Sequence, residues 1–165
     1  MSVSAAQALK SLCMREPLLT LAVAESMTGG RLQAAITAIS GASGFFLGGM
    51  TAYTLNQKVR HLGVKRAAAL KVNAVSAEVA AQMARGAARL FEADVAAATT
   101  GYAEPAPERG AGDPFAWWAI AHRTAPRRLH VITGRVVCPG MTRVQAQEAV
   151  ASAVVAELAA YLRAV

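Results

Sequence analysis

The chain has few of the residues that build metal centres and disulfide frameworks. Only two of its 165 residues are cysteines and three are histidines. Cys13 and Cys138 lie far apart in the sequence and show neither a CxxC pair nor the Cys/His spacing of zinc ligands. The sequence therefore predicts two buried free thiols, with no metal site and no disulfide.

Long uninterrupted apolar segments are also absent, although 55% of the residues are hydrophobic. No stretch reaches the roughly 18 residues of a membrane span, and residues 1–4 lack the basic region and apolar core of a secretory signal. A chain of this length and apolar content is large enough for one well-packed core. We therefore expect a single domain over residues 1–165, located in the cytoplasm and not in a membrane.

Aromatic residues make up only 5% of the chain, whereas the formal net charge is +7. A positive charge suits either nucleic acid or small phosphorylated metabolites. The basic residues are densest at 58–66 and 123–128, with little aromatic surface among them. This pattern argues against nucleic acid as a partner and favours a small phosphorylated molecule.

The most informative segment is LAVAESMTGGR at residues 21–31, which combines a short apolar strand, a polar turn and a glycine pair that opens a helix. Thr28 is suited to cap that helix, and Gly29 and Gly30 let backbone N–H groups approach a ligand closely. The start of a helix attracts anions, and Ser26 lies at its mouth. Taken alone, the segment is equally consistent with a plain strand-to-helix turn.

Apolar periodicity, capping residues and glycines divide the chain into alternating elements. We expect helices at 4–15, 30–39, 55–62, 76–91 and 142–161, strands at 20–24, 45–53, 95–99, 115–122 and 129–137, and a long irregular loop at 101–114. The early alternation and the late hairpin predict an α/β fold, a three-layer α/β/α sandwich with a mixed, mostly parallel sheet. Ligands in such sheets bind beyond the carboxyl ends of strands, where Ser26, Tyr53 and Thr100 fall.

Six short motifs in this order resemble the CinA C-terminal domain family. They are AESMTGG at 24–30, GAS at 41–43, GGMTAY followed by NQK at 48–58, LGV at 62–64, AVS at 74–76 and TG at 100–101. The resemblance covers about residue 12 to the C-terminus, and six ordered motifs are far more specific than any one of them.

This family includes the bacterial nicotinamide mononucleotide deamidases. The resemblance therefore implies hydrolysis of a nucleotide carboxamide to the carboxylate and ammonia, with no metal and no redox cofactor. It makes Ser26 the nucleophile and Lys58 its base, and Ser43, Tyr53 and Thr100 match positions that line the same pocket.

The implied chemistry sets two requirements on the site. A lysine removes a serine proton only if its amine is held neutral by burial or by nearby positive charge, for which Arg31 and Arg60 are candidates. Backbone N–H groups at residues 28–30 would stabilise the oxyanion or bind a substrate phosphate, and the sequence leaves both uses open. Glu25 either binds a ribose hydroxyl or caps local amides, and we favour the structural use.

Two segments depart from the family pattern. Where the family continues with IAGPGG, this chain has YAEPAP at 102–107, so that Glu104 would repel a phosphate and the prolines would stiffen the loop. Before the last helix, Arg143 stands without the acidic neighbour that the family carries, either as a displaced phosphate clamp or as a solvent-facing arginine. We therefore expect weak activity or altered specificity, and the alternative is a degenerate member that binds a nucleotide or a protein.

We also expect the chain to form a homodimer or a larger assembly. Its Ala- and Val-rich composition is unusually apolar for its size, and a monomer would have to expose part of that surface. The resemblance points the same way, because members of the family tend to associate.

Overall fold

The computed structural model describes residues 4–165, so residues 1–3 of the segment considered for a secretory signal lie outside the described residues. The helices are α1 (Ala5–Cys13), α2 (Arg31–Thr37), α3 (Leu55–Leu62), α4 (Arg66–Lys71), α5 (Ala77–Leu90) and α6 (Arg143–Ala164). The strands are β1 (Leu21–Glu25), β2 (Phe46–Thr51), β3 (Val95–Tyr102), β4 (Phe115–Ala125) and β5 (Arg128–Val137). Short 3-10 turns lie at Ala42–Gly44 and Pro107–Arg109.

The strands form one mixed sheet in the order β2-β1-β3-β4-β5. β1 runs parallel to β2 and β3, whereas β4 is antiparallel to both of its neighbours. Four of the five strands therefore point the same way, as expected. The carboxyl ends of β1, β2 and β3 meet at one edge of the sheet.

Helices cover both faces of this sheet, which confirms the three-layer α/β/α expectation. α1, α2 and α6 pack over one face, and α3 and α5 pack over the other. The central strands are rich in alanine and valine, and every residue of β1 is buried. Small residues also bring α5 close to α3: a Cβ added at Gly86 would lie 2.2 Å from the Leu62 carbonyl oxygen.

Capping residues mark the helix boundaries that the sequence predicts. The side-chain oxygens of Ser4 and Ser76 accept hydrogen bonds from the N–H groups of residues three positions on, at 3.2 and 3.1 Å. Thr142 and Gln145 form a reciprocal capping box at the start of α6. Gly63 ends α3 in the left-handed conformation, with φ of 71°.

Several local expectations were wrong. We expected β2 to be buried, but it is half exposed. It is the edge strand of the sheet and has a neighbouring strand, β1, on one side only. α4 was not predicted from the sequence, and β3, which we expected to end at Thr99, continues to Tyr102. The two thiols are buried as expected, and burial raises the pKa of Cys13 to about 11. No helix among residues 4–165 is both long enough and apolar enough to cross a membrane.

Candidate active site

A cavity of about 470 Å³ lies at the carboxyl edge of the parallel strands. Ser26 directly follows β1, and Lys58 lies on α3, which β2 leads into. Thr100 lies in the last part of β3. Since these three strands are parallel and adjacent, their ends bring the three residues to one cavity, together with Tyr53 and Arg143.

The structure brings Ser26 and Lys58 into direct contact, as expected. The Lys58 Nζ donates a hydrogen bond to the Ser26 Oγ at 2.8 Å and another to the Tyr53 carbonyl oxygen at 3.1 Å. Ser26 is 7% exposed and Lys58 only 3%. Lys58 and Leu62 are the buried positions of α3, one turn apart on its inner face, and this spacing directs the lysine towards the end of β1.

Burial lowers the pKa of Lys58 from 10.5 to about 8. At pH 7.5 this leaves about a quarter of the amine neutral, against about one in a thousand at the ordinary pKa. Neither of the two ion pairs found among residues 4–165 involves Lys58. The expectation that Arg31 and Arg60 would lower this pKa was wrong, because the cause is desolvation of the ammonium group.

Glu25 caps the helix that follows Ser26. Its side chain is fully buried, and its two carboxylate oxygens accept hydrogen bonds from the N–H groups of Gly30, Leu32 and Gln33 at 3.0, 3.0 and 2.8 Å. A carboxylate at a helix N-terminus is favoured by the helix dipole as well as by these bonds. Glu25 therefore has the structural use that we favoured, and it occupies the helix amides that an anionic ligand would need.

The glycine pair and Thr28 accordingly shape the turn, which corrects their assignment as ligand contacts. The Thr28 side chain is fully buried and its hydroxyl pairs with that of Thr99 at 2.8 Å. The Gly29 N–H donates to the Ser26 carbonyl oxygen at 3.1 Å, and Gly30, with φ of 97°, is the N-cap in place of Thr28. None of the residues 28–30 lines the cavity. Met27, beside the serine, does line it.

Ser43 lies away from the cavity, so its assignment to the same pocket was also wrong for this chain. It is an exposed residue of the 3-10 turn Ala42–Gly44, just before β2 begins. There Phe46 pairs with Leu21, the first residue of β1, whereas Ser26 follows the last residue of β1. The length of a five-residue strand, about 13 Å, therefore separates Ser43 from the nucleophile position.

Thr100 and Tyr53 both reach the cavity, and each holds a second element in place. The Thr100 hydroxyl donates to the Ala74 carbonyl oxygen at 2.7 Å, which fixes the segment before α5 against β3. Tyr53 is 55% exposed at the cavity mouth, where its carbonyl oxygen accepts from Lys58 and its ring is available to a ligand.

Arg143 has an acidic partner that the sequence analysis did not assign. It forms an ion pair with the Glu104 carboxylate, 39 residues away, and its Nη1 donates to the Tyr53 hydroxyl at 3.4 Å. The hydrogen bond that Arg143 donates to the Glu104 carboxylate is the main cause that raises the pKa of Arg143. Arg143 therefore lacks the acidic residue of the family pattern beside it in the sequence, but the altered loop supplies an acidic partner in space.

The remaining cavity wall comes from residues that sequence reasoning missed. They are Leu55, Leu70, Asn73, Tyr102, Glu108 and Arg109, among others. Leu70 and Asn73 were missed because α4 was not predicted. Asn73 has φ of 50°, and an asparagine after a short apolar helix is a signal that could have placed the end of α4. Its side-chain amide donates to the Tyr102 hydroxyl at 3.2 Å.

The side chains that line the cavity include a nucleophile and a base in contact with each other. Within residues 4–165, no three side chains of the His, Cys, Asp and Glu types come close enough together to hold a metal ion. What the cavity offers is a buried hydroxyl, a buried amine with a depressed pKa, and paired charges at its mouth. A serine activated by a neutral lysine can attack a carbonyl carbon.

A family model and solved structures of known proteins match nearly the full length of the chain. The family model of the CinA C-terminal domain matches residues 3–162. A CinA superfamily protein from Klebsiella pneumoniae 700603 superposes with a TM-score of 0.88 at 25% identity, covering 98% of this chain and 97% of its own. A second, from Escherichia coli, gives a TM-score of 0.78 at 30% identity, covering 97% and 89%.

Sequence relatives agree over a shorter stretch. A putative competence-damage inducible protein from Halothermothrix orenii is 48% identical over 86 residues, which are 52% of this chain and 21% of the relative. A CinA-like protein from Geobacter metallireducens is 44% identical over 104 residues, covering 61% of this chain and 25% of its own. The matched region thus spans about a fifth to a quarter of the length of these relatives.

Proposed function

Because this chain belongs to the CinA C-terminal domain family, we propose that it is an amidohydrolase that cleaves a carboxamide of the nicotinamide mononucleotide type. Ser26 is the nucleophile and Lys58 its base. The observation that carries this proposal is the 2.8 Å contact between the buried Lys58 amine and the Ser26 hydroxyl. The pKa of about 8 at Lys58 supports it, since a base must be neutral to accept a proton.

The reaction proceeds through an acyl-enzyme. Neutral Lys58 accepts the hydroxyl proton while the Ser26 Oγ attacks the carboxamide carbon, and the carbonyl oxygen becomes an oxyanion. The N–H of Met27, next to the nucleophile, is the donor we assign to that oxyanion. The Lys58 ammonium then returns its proton to the departing nitrogen, and ammonia leaves.

Water completes the cycle. Lys58, neutral again, takes a proton from a water molecule that attacks the Ser26 ester, and then returns that proton to the Ser26 Oγ as the ester bond breaks. The products are the carboxylic acid and ammonia. Acylation and deacylation both need the Lys58 amine in its neutral form, so the lowered pKa favours both steps.

The substrate-binding wall supports a specificity shifted away from the mononucleotide. Glu104 occupies Arg143 at the cavity mouth, and the helix amides at the start of α2 are occupied by Glu25. The pairing of Arg143 with Glu104 also favours a second candidate function, in which the chain has lost catalytic turnover and binds a nucleotide or a protein.

Ammonia release from nicotinamide mononucleotide and related amides tests the proposal. We expect Ser26→Ala and Lys58→Met to lower kcat/KM by about 10³-fold or more. Ser43→Ala and Lys71→Met are matched controls, because they make the same type of change at exposed positions outside the cavity. Undiminished hydrolysis in Ser26→Ala would remove the nucleophile assignment. Binding of these amides without any ammonia release from wild type would favour the second candidate.

We further propose that the chain self-associates. Large apolar side chains are exposed on its surface, including Leu18, Leu47 and Leu90, each about half exposed at 53%, 47% and 49%. Light scattering over micromolar concentrations tests this, and a monomer throughout that range would contradict it.

A further inference from the structure

The charges around the cavity cancel in the state that reacts. Among residues 4–165, the charged residues that line it are Lys58, Glu104, Glu108, Arg109 and Arg143. Catalysis requires Lys58 to be neutral, and the two arginines and two glutamates that remain carry formal charges that sum to zero. A phosphate dianion would therefore enter a cavity without net positive charge, and it would lose part of its hydration there.

Arg143 lies at the cavity mouth beside Tyr53, and its guanidinium group forms an ion pair with the Glu104 carboxylate. One of its terminal nitrogens donates to the Glu104 carboxylate, and the other donates to the Tyr53 hydroxyl. A substrate phosphate would have to share this arginine with a carboxylate that repels it and already neutralises the guanidinium charge. Arg109 is engaged less closely, since its Nε lies 3.9 Å from Glu108.

Both partners of the Glu104–Arg143 pair are held by ordered backbone. Glu104 lies between the end of β3 at Tyr102 and a turn that two hydrogen bonds between Ala106 and Ala111 close, at 2.8 and 3.1 Å. Arg143 is the first residue of α6, whose start is fixed by the Thr142 capping box. The pair therefore joins the start of α6 to the short segment between β3 and a closed turn.

We propose that Glu104 is a specificity-determining residue that neutralises Arg143, so that this chain acts on carboxamides without a phosphate group in preference to phosphorylated ones. This inference rests on the proposed amidohydrolase function, because it names the substrate class of the same site. The uncharged part of such a substrate has the exposed Tyr53 ring to pack against, and its amide reaches Ser26.

Two probes that differ only in the phosphate test the inference: nicotinamide riboside and nicotinamide mononucleotide. We expect wild type to have the higher kcat/KM for the riboside. Glu104→Gln keeps the size of the side chain and removes its charge, which frees Arg143. In this variant we expect the ratio of kcat/KM for mononucleotide to that for riboside to rise about tenfold, the size of one charge-assisted contact at a half-exposed site.

Glu108→Gln is the matched control. It removes the same charge from the same cavity, but leaves Arg143 paired with Glu104, so we expect the ratio to change less than about threefold. An equal rise in both variants would mean that only the net charge matters, and would overturn the role of Glu104. A wild-type preference for the mononucleotide, or an unchanged ratio in Glu104→Gln, would also overturn it.

Calorimetric titration of both probes into Ser26→Ala, with and without Glu104→Gln, separates this inference from the proposed function. Hydrolysis with an unchanged binding ratio would refute the role of Glu104 and leave the amidohydrolase proposal standing. A shifted binding ratio without hydrolysis in wild type would support the role of Glu104 in binding and refute the amidohydrolase proposal. Failure of both probes to bind any of these proteins would overturn the inference. Thermal unfolding of each variant confirms that it is folded before it is compared.

Discussion

Replacement of Lys58 by methionine should change the pH dependence of stability in a defined direction. Methionine is similar in length to lysine, has no charge and does not titrate between pH 7 and pH 10.5. In the wild type the Lys58 side chain is 3% exposed and burial lowers its pKa from 10.5 to about 8. The variant removes that titration and leaves the other ionisable groups in place.

The sign follows from proton linkage. Well below pH 8 Lys58 is protonated in both the folded and the unfolded wild type, and the buried ammonium lowers stability. Between pH 8 and pH 10.5 the folded protein has lost this proton while the unfolded chain still holds it, so stability rises with pH. A difference between 10.5 and about 8, at 1.36 kcal/mol for each pKa unit, amounts to roughly 3 kcal/mol.

Urea unfolding at a series of pH values from 7 to 10.5 measures this effect. The quantity to plot is the free energy of unfolding of Lys58→Met minus that of wild type. Subtraction cancels groups common to both proteins, such as the Cys13 thiol, whose pKa of about 11 lowers stability at high pH. We expect the difference to move by roughly 3 kcal/mol in favour of wild type across this range.

The pH dependence of this free-energy difference tests the lowered pKa of Lys58, whereas its absolute value at one pH does not. The variant also loses the hydrogen bonds from Lys58 to Ser26 and Tyr53, and this loss offsets part of the relief at pH 7. A difference that stays constant from pH 7 to pH 10.5 would show that Lys58 titrates near its ordinary pKa. In that case it would not be a usable base near neutral pH.

Four further outcomes are expected. The kcat/KM for an amide substrate should rise with pH and level off above about pH 8, as the pKa of Lys58 requires, and an inflection above pH 10 would contradict the assignment of the base. Glu25→Gln should lower the free energy of unfolding by about 2–4 kcal/mol in urea, because an amide offers one acceptor oxygen to three N–H donors. Thr28→Val should cost about 1–2 kcal/mol by leaving the Thr99 hydroxyl without its partner, yet change kcat/KM less than about threefold, and a large loss of kcat/KM would restore Thr28 as a ligand contact. Gly86→Ala should lower Tm through about 1–3 kcal/mol of overpacking against Leu62, and an unchanged Tm would show that α3 and α5 can separate freely.

The sequence alone predicted the elements that depend on local physics. Capping by Ser4, Ser76 and Thr142 and the glycine at the end of α3 act within a few residues of where they occur, so they are readable without a fold. The alternation of apolar helices and strands indicated the layered sheet. The ordered motifs led to Ser26 and Lys58, and strand order then predicted that they meet.

Tertiary structure decided what those residues can do. Whether Lys58 is neutral depends on its burial beneath neighbouring elements, and positive charge nearby in sequence proved irrelevant to it. Ser43 matched a motif but lies at the opposite end of β1, which no local pattern records. The sequence predicted that Glu104 would repel a phosphate, and only the folded chain brings it across 39 residues to Arg143. Local propensity acts over one or two turns, whereas desolvation and long-range pairing depend on which elements the sheet places side by side.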